Sequence, residues 1–243
     1  MKTLLINCSP KKSLSASSYL AALQSLFLKG DKVIKKLRLK NDYAPIFEEL
    51  KDADSVVLCL PLYVDGVPSH VLAFLEEAEK FFLENNLHTN LYCIANNGFI
   101  EGRQNEPLMQ VLENFCLRAG INWCGGVGIG GGVMLNVTRI VFAIQIVMYL
   151  TRYIINGIQT GVFWGTGYLS PILQNVGVLL FFNAGVLFFL IRMGIAINNG
   201  SFFGKQYTRI MIPSFIFVPM ASVFFFVISF FQGGLFRGWL AKK

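Results

Sequence analysis

The sequence predicts an α/β protein: a doubly wound, five-stranded parallel sheet in the order 2-1-3-4-5, followed by C-terminal transmembrane helices. Three observations lead there. Residues 1–132 alternate short apolar runs with amphipathic segments, the rhythm of βαβ units. Several of those runs are apolar throughout, as strands covered by helices on both faces must be. The third is the charge distribution. All 14 Asp and Glu lie at or before Glu113, so the last 130 residues hold none. Residues 1–132 carry a net charge of −1 and residues 133–243 a net of +8. The total of +7 therefore describes neither half.

The elements follow in order. Thr3 to Asn7 reads as a strand and Ser15 to Leu28 as a helix, with Leu20, Leu23, Leu26 and Phe27 at helical spacing. Lys32 to Leu39 sets Val33 and Ile34 among cations, which suits a more exposed strand. Tyr43 to Lys51 is a short helix or turn. Ser55 to Leu60 is an uninterrupted apolar strand stopped by Pro61. Val67 to Leu83 places Val71, Phe74, Leu75, Ala78, Phe81 and Phe82 on one helical face. Asn90 to Ala95 is a buried strand, Glu106 to Ala119 a helix ended by Gly120, and Asn122 to Ile129 the fifth strand.

Beyond residue 132 the pattern changes. From about 134 to 159 a fifth helix is expected, with Gln145, Arg152, Asn156 and Gln159 on one face, lying against both sheet and membrane surface. Gly157 to Gly167 reads as a linker, placing the domains at 1–160 and 161–243. Ile172 to Ile191 and Ile210 to Phe231 carry no charge over 20 and 22 residues, long enough to cross a bilayer. Two spans put Arg139, Arg152, Arg237, Lys242 and Lys243 inside and Arg192, Lys205 and Arg209 outside; three spans reverse much of this. The excess of inside cations favours two spans.

Composition narrows the classes. A chain that is 54% hydrophobic and 14% charged is not disordered. Its excess cations are scattered singly among apolar runs, which argues against nucleic acid. The start, MKTLLINCSP, is too short an apolar run for a signal peptide, so the first half is expected in the cytoplasm and the whole at the cell membrane. The five cysteines form no CxxC pair and read as buried free thiols rather than metal ligands. His70 and His88 lack the context of a hydrolase triad or zinc site.

In a sheet of this order, ligands bind beyond the carboxyl ends of the strands. The loop after the first strand offers Ser9, Lys11, Ser13, Ser15, Ser17 and Ser18 beside a helix start, a combination suited to an anion. The same residues read more simply as a helix cap. The loop after the third strand, Leu60 to Ser69, has Leu62 and Tyr63 to cover a flat ring and Gly66 for close backbone approach. The loop after the fourth, Asn96 to Asn105, offers amides for a polar heterocycle edge. Gly126 to Gly131 spells GxGxxG, but it follows the fifth strand and has no acid downstream, so it is no dinucleotide turn.

Taken together, Ser9-Pro10-Lys11…Ser15, Pro61-Leu62-Tyr63-Val64-Asp65-Gly66-Val67-Pro68-Ser69 and Asn97-Gly98-Phe99-Ile100-Glu101 resemble the NAD(P)H-dependent FMN reductase family of flavodoxin-like proteins, over about residues 1–132. The resemblance implies the FMN phosphate among Ser9, Lys11, Ser13, Ser15, Ser17 and Ser18. It implies the isoalloxazine against Pro61, Leu62, Tyr63, Val64 and Gly66, with its pyrimidine side near Asn97, Gly98, Phe99 and Glu101. It further implies hydride transfer from NADH or NADPH to flavin N5, no catalytic side chain, no metal, and a homodimer. A Cys8 where relatives usually carry Gly, and a Phe-rich C-terminal segment, are departures. With the membrane segment, the expected protein is a membrane-anchored flavoprotein oxidoreductase serving a quinone or membrane redox partner. The alternatives are a non-catalytic flavodoxin-like binding or regulatory module of a membrane complex, or a one-electron carrier.

Overall fold

The computed structural model describes residues 1–12, 15–161 and 166–231. Its elements are β1 (Lys2–Asn7), α1 (Ala16–Ser25), β2 (Asp31–Lys36), α2 (Tyr43–Leu50), β3 (Ser55–Pro61), α3 (Ser69–Glu84), β4 (Asn90–Asn96), α4 (Glu106–Ala119), β5 (Asn122–Gly130), α5 (Gly132–Thr160), α6 (Thr166–Asn198), β6 (Gly204–Arg209) and α7 (Ser214–Phe231). The strands form one sheet in the order β2-β1-β3-β4-β5-β6, every neighbouring pair parallel. The first five therefore stand in the expected order. The chain divides into two compact units, Met1–Ile210 and Met211–Lys243.

Each face of the sheet is closed by helices. On one, Leu4, Ile6, Leu58, Leu60, Leu91 and Cys93 join a core with Ile46 and Leu50 of α2, Phe74, Ala78 and Phe82 of α3, and Leu112 and Phe115 of α4. On the other, Leu20 and Ala21 of α1 are buried, and so are Val186, Leu190, Met193 and Ile197 of α6. The latter half of α6 packs on β5, β6 and α1. Hydrogen bonds fix it there. Tyr92 Oη donates to Ser201 O at 2.8 Å, Asn198 Nδ2 donates to Phe27 O at 3.0 Å, and Lys29 N donates to Asn198 Oδ1 at 2.8 Å.

Two expectations are corrected. The sheet has six strands, not five: residues 204–209 return to it and pair with β5 from Gly125↔Gly204 to Gly130↔Arg209. Lys205 and Arg209 are thus strand residues, and Lys205 Nζ sits 2.6 Å from Glu113 Oε2 on α4. The helix that covers the sheet behind β5 is α6, not the fifth helix. Among the described residues of α5, burial is concentrated at its start, at Gly132, Met134 and Leu135; Ile140, Ile144, Val147, Ile154 and Ile158 are exposed. The reason is topology. β6 pairs parallel to β5, so the chain must cross back over the sheet before it, and α6 is the helix that does so. It brings Val186, Leu190, Met193 and Ile197 to one face at spacings of 3 and 4.

Among the described residues, two helices are long and apolar enough to cross a membrane, Val137–Thr160 and Ser170–Asn198; the most apolar stretch of the first is almost wholly exposed and that of the second partly buried. The second contains the expected span 172–191, whose C-terminal end doubles as the sheet-covering helix. The second unit is described as far as Phe231 and consists of α7, whose apolar stretch Ser214–Val227 is shorter. Part of the expected linker (162–165), Arg237, Lys242 and Lys243 lie outside the described residues.

Candidate functional site

A cavity of about 120 Å³ opens at the carboxyl ends of β1, β3 and β4. Its lining brings together Ser9, Lys11, Ser15 and Ser17 from the first loop, Pro61, Leu62 and Tyr63 from the second, and Asn97 and Gly98 from the third. Ala16, Asn96 and Gly132 complete it. Three loops more than 30 residues apart in sequence thus meet because parallel strands deliver their C-terminal ends to one edge.

The first loop is fixed from within. Asn7 Oδ1 accepts from Ser9 N at 3.1 Å, and Ser9 Oγ accepts from Lys11 N at 3.4 Å. The Cys8 carbonyl accepts from His70 Nε2 at 3.0 Å, which assigns that nitrogen the proton. Burial pushes the Cys8 thiol well above its ordinary pKa, so it stands at the base of the loop as a neutral filler. Ser15 caps α1: its Oγ accepts from Ser18 N at 3.1 Å, and Ser18 Oγ accepts from Ser15 N at 3.0 Å. This capping box occupies both hydroxyls. The N–H groups of Ala16 and Ser17 have no acceptor in the helix ladder. They are left as donors at the positive end of the α1 dipole.

The third loop is bound to the others. Asn96 Nδ2 donates to Ser17 Oγ at 2.9 Å and to Leu60 O at 3.0 Å, so one amide ties all three loops. Asn97 Nδ2 donates to Glu101 O at 3.0 Å, while its Oδ1 is buried without a partner. A buried acceptor left unmade costs about 1–3 kcal/mol, which a donor from a bound molecule would recover. The alternating glycines of β5 make room for this loop. A Cβ on Gly130 would strike Ile100 O, and one on Gly128 would meet Gly102 O at 2.7 Å. That is the physical content of the GxGxxG stretch.

The other expected site residues stand elsewhere. Ser18 serves the cap. Gly66 pairs with Tyr63 in a tight turn, Gly66 N donating to Tyr63 O at 2.9 Å. The turn's central residues, Val64 and Asp65, have φ of 46° and 57°, a conformation costly for a β-branched side chain. Val64 and Phe99 project into solvent. Glu101 lines a separate open groove with Asp65, Arg103, Gln104 and Glu106. Ser13 lies outside the described residues. Residues of the site outside the expected binding set are Ala16, whose role is its backbone N–H, Asn96, Gly132 and His70. Asn96 had a visible signal, a polar residue ending an apolar strand; a backbone donor such as Ala16 has none.

No family model matches the chain, and no curated protein matches it. Among solved structures, the chain is similar to an NADPH-quinone reductase from P. pentosaceus, at 17% identity over 54% of this chain and 86% of that one, with a TM-score of 0.46. It is similar to the Trp repressor binding protein from Bacillus subtilis, at 17% identity, 54% and 85% coverage and a TM-score of 0.44. It is also similar to an NAD(P)H:quinone oxidoreductase from Methanothermobacter marburgensis, at 14% identity, 54% and 84% coverage and a TM-score of 0.43. The chemistry of the site has to be read from this chain's own residues.

Proposed function

We propose that this chain is a membrane-anchored flavoprotein oxidoreductase that holds FMN at the carboxyl edge of its sheet. The observation that carries this is the convergence, in one cavity, of an anion cradle with Asn97, whose buried Oδ1 has no donor among the described residues. The cradle is Lys11, the Ser9 and Ser17 hydroxyls and the uncapped N–H groups of Ala16 and Ser17, and it suits a phosphate. Asn97 Oδ1 suits an N–H of a polar ring edge. Pro61, Leu62 and Tyr63 give that ring an apolar floor. These residues fit FMN.

When bound, FMN supplies the hydride chemistry, accepting from NADH or NADPH and passing electrons to a quinone or other membrane-associated acceptor. The protein binds and orients. Lys11 neutralises phosphate charge, Asn96 locks the three loops, and the neutral Cys8 thiol keeps the loop base apolar. The exposed apolar surfaces of α5 and α6 support the membrane anchor.

The test is an absorption spectrum of detergent-purified protein with added FMN, then anaerobic NADH or NADPH. Bound oxidised flavin that bleaches with nicotinamide supports the reading. No bound flavin overturns it. Flavin reduced by dithionite but not by nicotinamide leaves a one-electron carrier. Ser15→Asp sharpens the test. Asp caps α1 as well as Ser does, yet it sets a negative charge on the cavity wall, so FMN affinity falls at least tenfold while the fold stays.

A further inference from the structure

The position of the cavity relative to the apolar helices has a consequence for where its substrate comes from. Gly132 lines the cavity and is the first residue of α5. The candidate span begins at Val137, five residues on, a rise of about 8 Å along the helix. The cavity therefore sits at the foot of the span, on the sheet edge from which α5 departs.

Two further features share that edge. Val64 is fully exposed at the tip of the turn after β3, and Phe99 is more than half exposed on the loop after β4. Both flank cavity residues, Tyr63 and Gly98. The two-residue turn closed by Tyr63 and Gly66 holds Val64 out with a left-handed backbone. Around the first loop stands a cluster of cations. Lys36 Nζ donates to Lys12 O at 3.2 Å, and Arg38 Nε donates to Pro10 O at 3.1 Å, which brings Lys11, Lys12, Lys36 and Arg38 together. Arg139, on the first turns of α5, lies 4.0 Å over the Tyr19 ring of α1.

Among the described residues, none of these five cations has an ion pair, whereas Lys2, Lys35, Lys40, Lys51, Arg103, Arg118 and Lys205 do; Lys29, Lys32, Lys80, Arg152, Arg192 and Arg209 are also without one but do not gather around the first loop. One phosphate in the cavity uses one or two of the five. Three acids share this edge: Asp42 accepts from Arg38 N at 2.8 Å, and Asp65 and Glu101, close to Val64 and Phe99 in sequence, line the neighbouring groove with Arg103. The opposite edge, where the strands begin, carries Asp31, Asp52 and Asp54.

We propose that the carboxyl edge of the sheet rests on an anionic bilayer surface, with Val64 and Phe99 seated among the lipid headgroups and Lys11, Lys12, Lys36, Arg38 and Arg139 against lipid phosphates. The mouth of the cavity then opens to the membrane, and the acceptor is a lipid-soluble molecule that enters from the bilayer. This rests on the membrane and flavin reading above and adds to it an orientation, a lipid contact surface and a substrate route. Paired apolar and cationic contacts are what an interfacial segment needs: the apolar tips supply hydrophobic transfer and the cations supply attraction to the anionic surface.

The experiment uses the full chain in nanodiscs of phosphatidylcholine and phosphatidylglycerol. Single labelling sites are made by Val64→Cys, Phe99→Cys and, as a control, Asp54→Cys. The five native cysteines are buried, so an environment-sensitive fluorophore reaches the introduced thiol alone. Headgroup-labelled quencher lipids should quench the labels at 64 and 99 at least twofold more than the label at 54. Aqueous iodide should show the reverse order. Equal iodide quenching at all three sites, in protein that remains in the nanodisc, overturns the orientation and leaves the anchor intact. Shielding of 64 and 99 from both quenchers also overturns it, because another protein then covers the loops. Protein that fails to enter nanodiscs at all overturns the anchor and this proposal together. Lys12→Gln with Lys36→Gln and Arg38→Gln should remove the dependence of the signal at 99 on phosphatidylglycerol; an unchanged dependence refutes the cationic contact.

Discussion

Asn96 Nδ2, at the carboxyl end of β4, donates to Ser17 Oγ, in the first turn of α1, across 2.9 Å. The same nitrogen donates to Leu60 O on β3, and Asn96 O accepts from Leu62 N at 2.8 Å. One buried residue thus joins the phosphate-type loop to the two loops that wall the rest of the cavity. Asn96→Ala strips two hydrogen bonds and leaves the Leu60 carbonyl without its side-chain donor. The expected loss of stability is about 2 kcal/mol. FMN affinity should fall about tenfold, worth ~1.4 kcal/mol, because Ser17 is no longer held in the cradle. Urea unfolding and flavin titration measure the two effects separately. Unchanged affinity would remove Asn96 from the site.

The second prediction concerns where the chain can be cut. The sequence places a boundary near residue 160, but α6 and β6 lie beyond it and belong to the first compact unit. Removing them uncovers Val127 and Ile129 of β5, takes the acceptors from Tyr92 Oη, and strips Val186, Leu190, Met193 and Ile197 from that sheet face. Four such side chains contribute on the order of 8 kcal/mol of burial, comparable to the whole stability of an average domain. A chain ending at residue 160 should fail to fold, while one ending at residue 210 keeps the sheet and its cover. Circular dichroism and limited proteolysis of the two truncations in detergent decide it. A folded 1–160 fragment would contradict the assigned role of α6.

The same two elements mark the limit of what the sequence discloses. The first five strands were legible because buried parallel strands are continuous apolar runs, as at Val56–Leu60 and Leu91–Ala95. β6 is Gly-Lys-Gln-Tyr-Thr-Arg, short, polar and set between long apolar segments. It is a sheet edge, where Lys and Arg guard unpaired backbone groups, and its partnership depends on Gly125 and Gly204 approaching closely. Residues 172–191 are charge-free whether they face lipid or a sheet, so composition cannot separate the two roles; only the burial of Val186 and Leu190 does. In the site, Ser9, Lys11, Ser17, Tyr63 and Asn97 were legible as polar or aromatic residues just after strands. The capping use of Ser18 and the solvent position of Val64 follow from backbone geometry, which residue type alone does not encode.

The turn after β3 gives a third prediction. Tyr63 and Gly66 close a two-residue hairpin whose central residues, Val64 and Asp65, both have positive φ. Asn-Gly is the preferred pair for that geometry, and Val is among the worst. The double substitution Val64→Asn with Asp65→Gly should stabilise the protein by about 1 kcal/mol, raising Tm by about 2–4 °C for a unit of this size. Thermal unfolding in detergent tests this. If the double variant is less stable, the turn is not the strained element its backbone angles indicate.

Burial of the thiols sets an alkaline limit. Cys116 is pushed up to about 12 from an ordinary 9.0, first by desolvation and then by its neighbours. Desolvation likewise raises Cys8, Cys59 and Cys93. Above pH 9 the unfolded chain releases these protons while the folded chain keeps them. The folded state therefore binds more protons, and stability must fall as pH rises. Below pH 9 the contribution is fully present; for Cys116 it is lost progressively between pH 9 and about 12. Each such thiol removes about 1.4 kcal/mol per pH unit over its window. Denaturant midpoints at pH 8, 9, 10 and 11 should fall with increasing steepness above pH 9. Cys116→Ala starts lower at pH 8, because a small cavity replaces the sulfur, but its decline should be shallower by the share of one thiol. An identical slope in the variant would mean that Cys116 ionises as easily folded as unfolded, and so is not buried as the packing of α4 on β4 requires.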